Sequence, residues 1–169
     1  MKNILSKNIS RLLTLAAITW TIAAHADSMV TIGVELNPMG SFEATSGALA
    51  GSAKKKGDQF IAQNIVLDLT TLDSGIELRD KHMKEEYFET KRFPKAVLIK
   101  AIGKKGKFAG ILMLRNIKAK ITGTYKVDGD TIEAEFTTPM TAFKIKKAAY
   151  MGVGVENMIK VKVKIPVAG

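Results

Sequence analysis

From Asp27 onward, apolar and polar residues alternate with a period of two in run after run, the pattern of strands with one buried and one wet face. Val30, Ile32, Val34 and Leu36 make the first run, and Ile65, Leu67 and Leu69 the next. Val97, Ile99 and Ala101 follow, then Phe108, Gly110, Leu112 and Leu114. Ile117, Ala119, Ile121, Gly123, Tyr125 and Val127 alternate with Lys118, Lys120, Thr122, Thr124 and Lys126. The clearest run sets Val161, Val163 and Ile165 against Lys160, Lys162 and Lys164. Turn residues fall between runs at Lys56-Gly57-Asp58, Lys105-Gly106-Lys107 and Asp128-Gly129-Asp130, so successive strands are expected to be antiparallel neighbours. The alternation breaks over residues 73–91, where Leu78, His82 and Met83 share one helical face and Pro94 blocks continuation. This predicts one or two short helices lying across the sheet.

The pattern predicts a mainly β protein, with about eight antiparallel strands in a sandwich or a closed barrel and a short helical crossover. An eight-stranded barrel has an interior either filled by side chains or just wide enough for one ligand. The lysines at alternate positions belong outside.

The first 26 residues do not fit this pattern. They carry Lys2, Lys7 and Arg11 with no acid, then the apolar run Leu12-Leu13-Thr14-Leu15-Ala16-Ala17-Ile18, and close on Ala24-His25-Ala26. A basic start, a short apolar segment and a small-x-small exit are the marks of a signal peptide cleaved after Ala26, so residues 27–169 are expected to form one exported, periplasmic domain. Without the leader, 23 basic residues face 16 acidic ones, a net charge of +7. Such a surplus can serve solubility, attract an anionic membrane surface or a phosphate headgroup, or mark a nucleic-acid binder, and charge alone does not choose among these; export makes nucleic acid the weakest of them.

Several kinds of chemistry are excluded by count. The chain has no cysteine, hence no disulfide, thiol nucleophile or lipid-modified cysteine. His82 is the one histidine beyond the leader, too few for a His-rich zinc site, and no Ser/His/Asp arrangement emerges. No cofactor and no metal are expected. Arg79, Asp80 and His82 form the one polar cluster of interest. Arg79 and Asp80 are able to pair and His82 to exchange a proton near neutral pH; alternatively the three tie the crossover to the barrel end. The Lys54-Lys55-Lys56 run is either a solvated hairpin tip or, with Lys104-Lys105, a device that steers the mouth of a barrel toward anionic lipid.

Three blocks, in order, resemble the YceI family of exported lipocalin-like proteins. The first is Leu67-Asp68-Leu69-Thr70-Thr71-Leu72-Asp73-Ser74-Gly75, continued by Arg79-Asp80-Lys81-His82-Met83, Tyr87-Phe88-Glu89 and Phe93-Pro94. The second is Gly110-Ile111-Leu112-Met113-Leu114-Arg115-Asn116-Ile117-Lys118-Ala119-Lys120-Ile121, similar to the family's G-x-L-x-L-H/R-G-V-T-K-x-V hairpin but with Asn116 in place of a glycine. The third runs from Tyr150 through Val153-Gly154-Val155 into the last alternating strand. The resemblance spans residues 42–167.

It implies an eight-stranded lipocalin-like barrel with an apolar tunnel for a long-chain isoprenoid lipid, polyprenyl or quinone-type, bound without catalysis. The tunnel lining then falls on Phe42, Ile65, Leu67, Leu69, Ile99, Leu112, Ile121, Phe136, Phe143, Val161 and Val163, and Arg79, Asp80 and His82 read as structural. For each apolar residue the alternative is a solid core. A lipocalin-type enzyme on an apolar substrate, with His82 or Asp80 moving a proton, and a ligand-free stress or adhesion module are the competing functions. A homodimer is compatible with such barrels.

Overall fold

In the computed structural model the described residues are 28–146, 149–150 and 153–168, so the leader and its cleavage site lie outside them. The fold is mainly β. Strands β1 (Met29–Asn37), β2 (Ser41–Ser46), β3 (Leu49–Ala50), β4 (Ala53–Lys56) and β5 (Gln59–Asp68) precede the crossover. Helix α1 (Glu77–His82) is followed by β6 (Lys95–Lys104), β7 (Lys107–Leu114), β8 (Ile117–Asp128), β9 (Thr131–Pro139), β10 (Ala149–Tyr150) and β11 (Val153–Ala168).

The hydrogen-bonded ring closes as β11-β4-β5-β6-β7-β8-β9 and back to β11, seven strands rather than eight. The difference arises between β2 and β5, where the chain is broken into two short strands and the seam is closed by just two residue pairs, Val167 with Ala53 and Ala168 with Lys54. That seam is parallel; the other pairings of the ring are antiparallel, as expected. β1 pairs with β11 and β2 with β1, and this hairpin extends the wall beside the seam.

The turns explain the antiparallel order. Lys105 and Gly106 have φ of 51° and 76°, and Arg115 and Asn116 have 51° and 60°, so both tight hairpins turn through the left-handed region that matches strand twist. Asn tolerates that region, which accounts for Asn116 at a position where the family pattern has glycine.

The three hairpin tips β4-β5, β6-β7 and β8-β9 gather at one end of the barrel, and the crossover lies at the other, between the end of β5 and the start of β6. The crossover begins with a 3-10 turn (Leu69–Thr71), continues through α1 and widens into a π-helical turn (Met83–Tyr87) in which Phe88 N–H donates to the Met83 carbonyl at 2.9 Å. A second 3-10 turn (Met140–Phe143) follows β9 and seats Phe143, 1% exposed, beneath it. Leu69, Leu72, Met83, Leu114, Phe143 and Ile145 form a core at the crossover end; Ala53, Ala62, Ile65, Ala101, Ile132 and Ile165 form one at the tip end.

Candidate functional site

Between these two cores the barrel encloses a cavity of about 740 Å³. It runs from Phe60, Tyr125 and Ile132 at the tip end to Leu36, Ile76 and Leu78 at the crossover end. Its wall consists overwhelmingly of aliphatic and aromatic side chains from every long strand, supplied by the period-two alternation. At the tip end Phe60 and Tyr125 pack edge to face with ring centroids 5.8 Å apart, and Phe108 and Phe136 do so at 6.1 Å. At the crossover end Ile76 and Leu78 line the cavity while remaining 51% and 61% exposed, so the wall meets solvent there.

Of the sequence-derived candidates, Phe42, Ile65, Leu67, Leu69, Leu112, Ile121, Phe136, Phe143, Val161 and Val163 lie on this wall. Ile99 does not. A β-bulge between Leu98 and Lys100 gives β6 one extra residue, so Ala96, Leu98 and Ala101 face inward and Ile99 turns out. Strict alternation through Val97, Ile99 and Ala101 is therefore incorrect for this strand. Lining residues not singled out from the sequence include Leu49, Phe60, Met83, Tyr87, Phe88 and Ile145. Most lie in short or irregular segments, where no period is available to assign a face.

The polar groups on the wall are few. Arg79 and His82 project from α1, with Ser41 of β2 and Thr138 of β9 nearby in the chain path at the crossover end. The Arg79 guanidinium lies 4.3 Å from the centroid of the Phe42 ring, a cation–π contact joining α1 to β2. His82 Nε2 is 4.0 Å from Glu86 Oε1. Asp80 turns the other way and accepts hydrogen bonds from the Ser74 amide at 2.9 Å and the Ser74 hydroxyl at 2.5 Å. The Arg79–Asp80 pair considered from the sequence thus does not form. Burial works against the Asp80 carboxylate, but the two Ser74 bonds, Lys84 and Asp73 outweigh it, and its pKa lies below the ordinary value. Burial in the wall, with Glu86, raises that of Tyr87.

A second polar cluster, not predicted as a site, fastens the far side of the crossover. Glu89, at φ of 51°, receives the Arg115 guanidinium on one oxygen and Arg92 Nη1 on the other at 3.0 Å. Arg115 Nη1 also donates to the Lys144 carbonyl at 2.9 Å. One arginine therefore ties the crossover, the β7-β8 hairpin and the turn after β9. The signal for it lay in the hairpin block, where Arg115 stands at the position that the family pattern gives to His or Arg.

The lysine tips sit apart from the site's open end. Lys54, Lys55, Lys56 and Lys105 belong to the hairpins opposite α1, and Lys104 Nζ is bound to Asp58 at 2.8 Å. Among the described residues no group of His, Asp and Glu side chains is placed to hold a metal ion.

Barrel, crossover and enclosed apolar cavity define a lipocalin-like class of β-barrel. The profile of the YceI-like domain matches residues 20–167, and the chain belongs to that family. No curated protein matches the chain. Among solved structures, BcnA of Burkholderia cenocepacia is similar with a TM-score of 0.58 at 13% identity, over 83% of this chain and 96% of that one. A polyisoprenoid binding domain from Saccharophagus degradans implicated in plant cell wall breakdown is similar with a TM-score of 0.54 at 11% identity, over 81% and 91%.

Proposed function

We propose that this protein is a periplasmic, non-enzymatic binding protein that holds a long isoprenoid lipid inside its barrel, as carrier or reservoir, after a leader is removed at Ala26. The observation that carries the reading is the enclosed cavity of about 740 Å³, apolar along its length, with Arg79 and His82 at the crossover end. At roughly 30 Å³ for each water-sized group the space accommodates about 25 non-hydrogen atoms, or about five isoprene units. Burial gains about 0.8 kcal/mol per methylene, so each unit contributes up to about 4 kcal/mol and several units bind tightly after ordering costs. No reacting group is needed for that. The polyisoprenoid-binding domain with the same fold supports the ligand class.

The polar end of such a lipid sits beside Arg79 and His82, and a chain longer than the cavity emerges past Ile76 and Leu78. Mass spectrometry of natively purified protein, followed by organic extraction, tests the reading. A stoichiometric prenyl compound is expected; no prenyl compound in the extract and no uptake of polyprenol on reconstitution would falsify it.

A further inference from the structure

We propose that the outer face of strands β5 to β8 is a docking surface for an anionic lipid bilayer. The proposal is independent of what fills the cavity.

Because Leu98 and Ala101 face the cavity, the residues between them project to the outside, where a soluble barrel ordinarily places polar groups. Here the outside is apolar. Register sets Ile61 beside Ile102, Val66 beside Val97, and Val97 beside Met113, with Ile111 beside Lys100. None of these six apolar side chains lines the cavity, and Ile102 and Ile111 are 40% and 39% exposed.

The charge on the same face has one sign. The four strands carry seven lysines and two aspartates, and the aspartates, Asp68 and Asp128, stand at strand ends. Lys120 is the register partner of Ile111 and Lys118 of Met113. Lys100, Lys118 and Lys120 are exposed, and among the described residues none has an ion-pair partner within 4.0 Å. Toward β9 the charge is balanced: Lys126, near the tip end of β8, pairs with Glu133, and Lys160 of β11 with Glu135, each at 2.8 Å.

Isoleucines framed by unpaired lysines match the boundary of an anionic bilayer. Apolar side chains enter the acyl edge while lysines extend their ammonium groups to the phosphates. A second copy of the chain fits less well, because a two-fold pairing sets the three lysines against their own mates.

Sedimentation of the purified protein with phosphatidylglycerol-containing vesicles and with pure phosphatidylcholine vesicles tests the proposal. Binding to the former alone is expected, weakening with salt. The triple variant Lys100→Gln, Lys118→Gln, Lys120→Gln is expected to lower it about tenfold or more. Lys160→Gln, Lys162→Gln, Lys164→Gln removes the same charge from the other wall and is expected to have little effect. Equal losses in the two triple variants overturn the proposal, since net charge alone then explains binding; so does absence of binding to either vesicle. Ile102→Ser with Ile111→Ser is expected to weaken binding with an unchanged melting temperature. A lipid-free dimer in sizing experiments that this pair dissociates assigns the face to a second copy and also overturns the proposal. Should the isoleucine variant not fold, the lysine comparison decides alone.

Discussion

Gly123 lacks a side chain because there is no room for one: a Cβ there would collide with the Glu135 carbonyl oxygen and stand 2.8 Å from the Phe108 ring. Gly103 likewise leaves space for Tyr125, whose ring would lie 2.7 Å from an added Cβ. These glycines let aromatic rings fold inward against the wall at the tip end. Gly123→Ala forces backbone rather than a flexible side chain to move, and a loss of about 2 kcal/mol in denaturant unfolding is expected. The bulge in β6 gives a paired prediction. Leu98→Ala removes cavity-wall packing and lowers stability by about 2 kcal/mol, whereas Ile99→Ala, on the outer side, costs less than half of that. The reverse order, with Ile99→Ala the costlier, would show that β6 alternates without interruption. Phase of this kind was readable along β1, β7, β8 and β11, where alternation survives from end to end. It was not readable in β6, because an inserted residue exchanges inside for outside while leaving the composition of the strand untouched.

At the scale of elements, the crossover is held from both ends. On one side Thr45 and Asp73 exchange backbone bonds of 2.8 and 3.0 Å, and Asp80 reaches back to Ser74. Because the folded pKa of Asp80 lies below its unfolded value, its contribution is present above the ordinary carboxylate range and is lost as pH falls through the folded pKa. Acid is therefore expected to loosen residues 73–80 below about pH 4, and Asp80→Ala to remove that part of the pH dependence, as read by amide hydrogen exchange. On the other side, Arg115→Met breaks both attachments, to Glu89 and to the Lys144 carbonyl, and leaves Glu89 poorly compensated. A loss of about 2 kcal/mol is expected, with partial retention in Arg115→Lys, whose single ammonium cannot span Glu89 and the Lys144 carbonyl together. The sequence marked the crossover by its broken alternation and its Arg-Asp-x-His pattern. It did not reveal partners, since Phe42 and Lys144 reach these charges from segments distant in the chain, and Ser74 meets Asp80 only once the turn before α1 has formed.

For the whole molecule, the cavity is the costly feature: close-packed interiors are the rule, and unfilled apolar volume lowers stability. Ala134 lies on the cavity wall. Ala134→Phe is expected to raise the melting temperature of ligand-free protein while reducing its capacity for polyprenol, measured by reconstitution and extraction. A variant that gained stability and kept full uptake would place the ligand elsewhere. An antiparallel sheet with one apolar face was evident from alternation and turns alone, while its closure into a barrel rather than a sandwich followed only from the family resemblance. Whether its interior was solid or hollow was not, because the same leucines and phenylalanines line a cavity or fill a core; only their placement around a circumference decides.

Strand β11 is hydrogen-bonded to β1, β4, β9 and β10. Its pairs reach from Lys164 back to Met29 and from Val167 to Ala53. Contacts so distant along the chain form late, because loop closure must precede any gain from them. Until β11 docks, strands β4 to β9 make an open trough with β4 and β9 as bare edges, able to pair with a neighbouring molecule, and the β1-β2 hairpin has no strand to pair with. An apolar chain lying in that trough would be enclosed as the final strand is laid down, so loading and folding become a single event, and the rate of refolding would depend on the concentration of lipid.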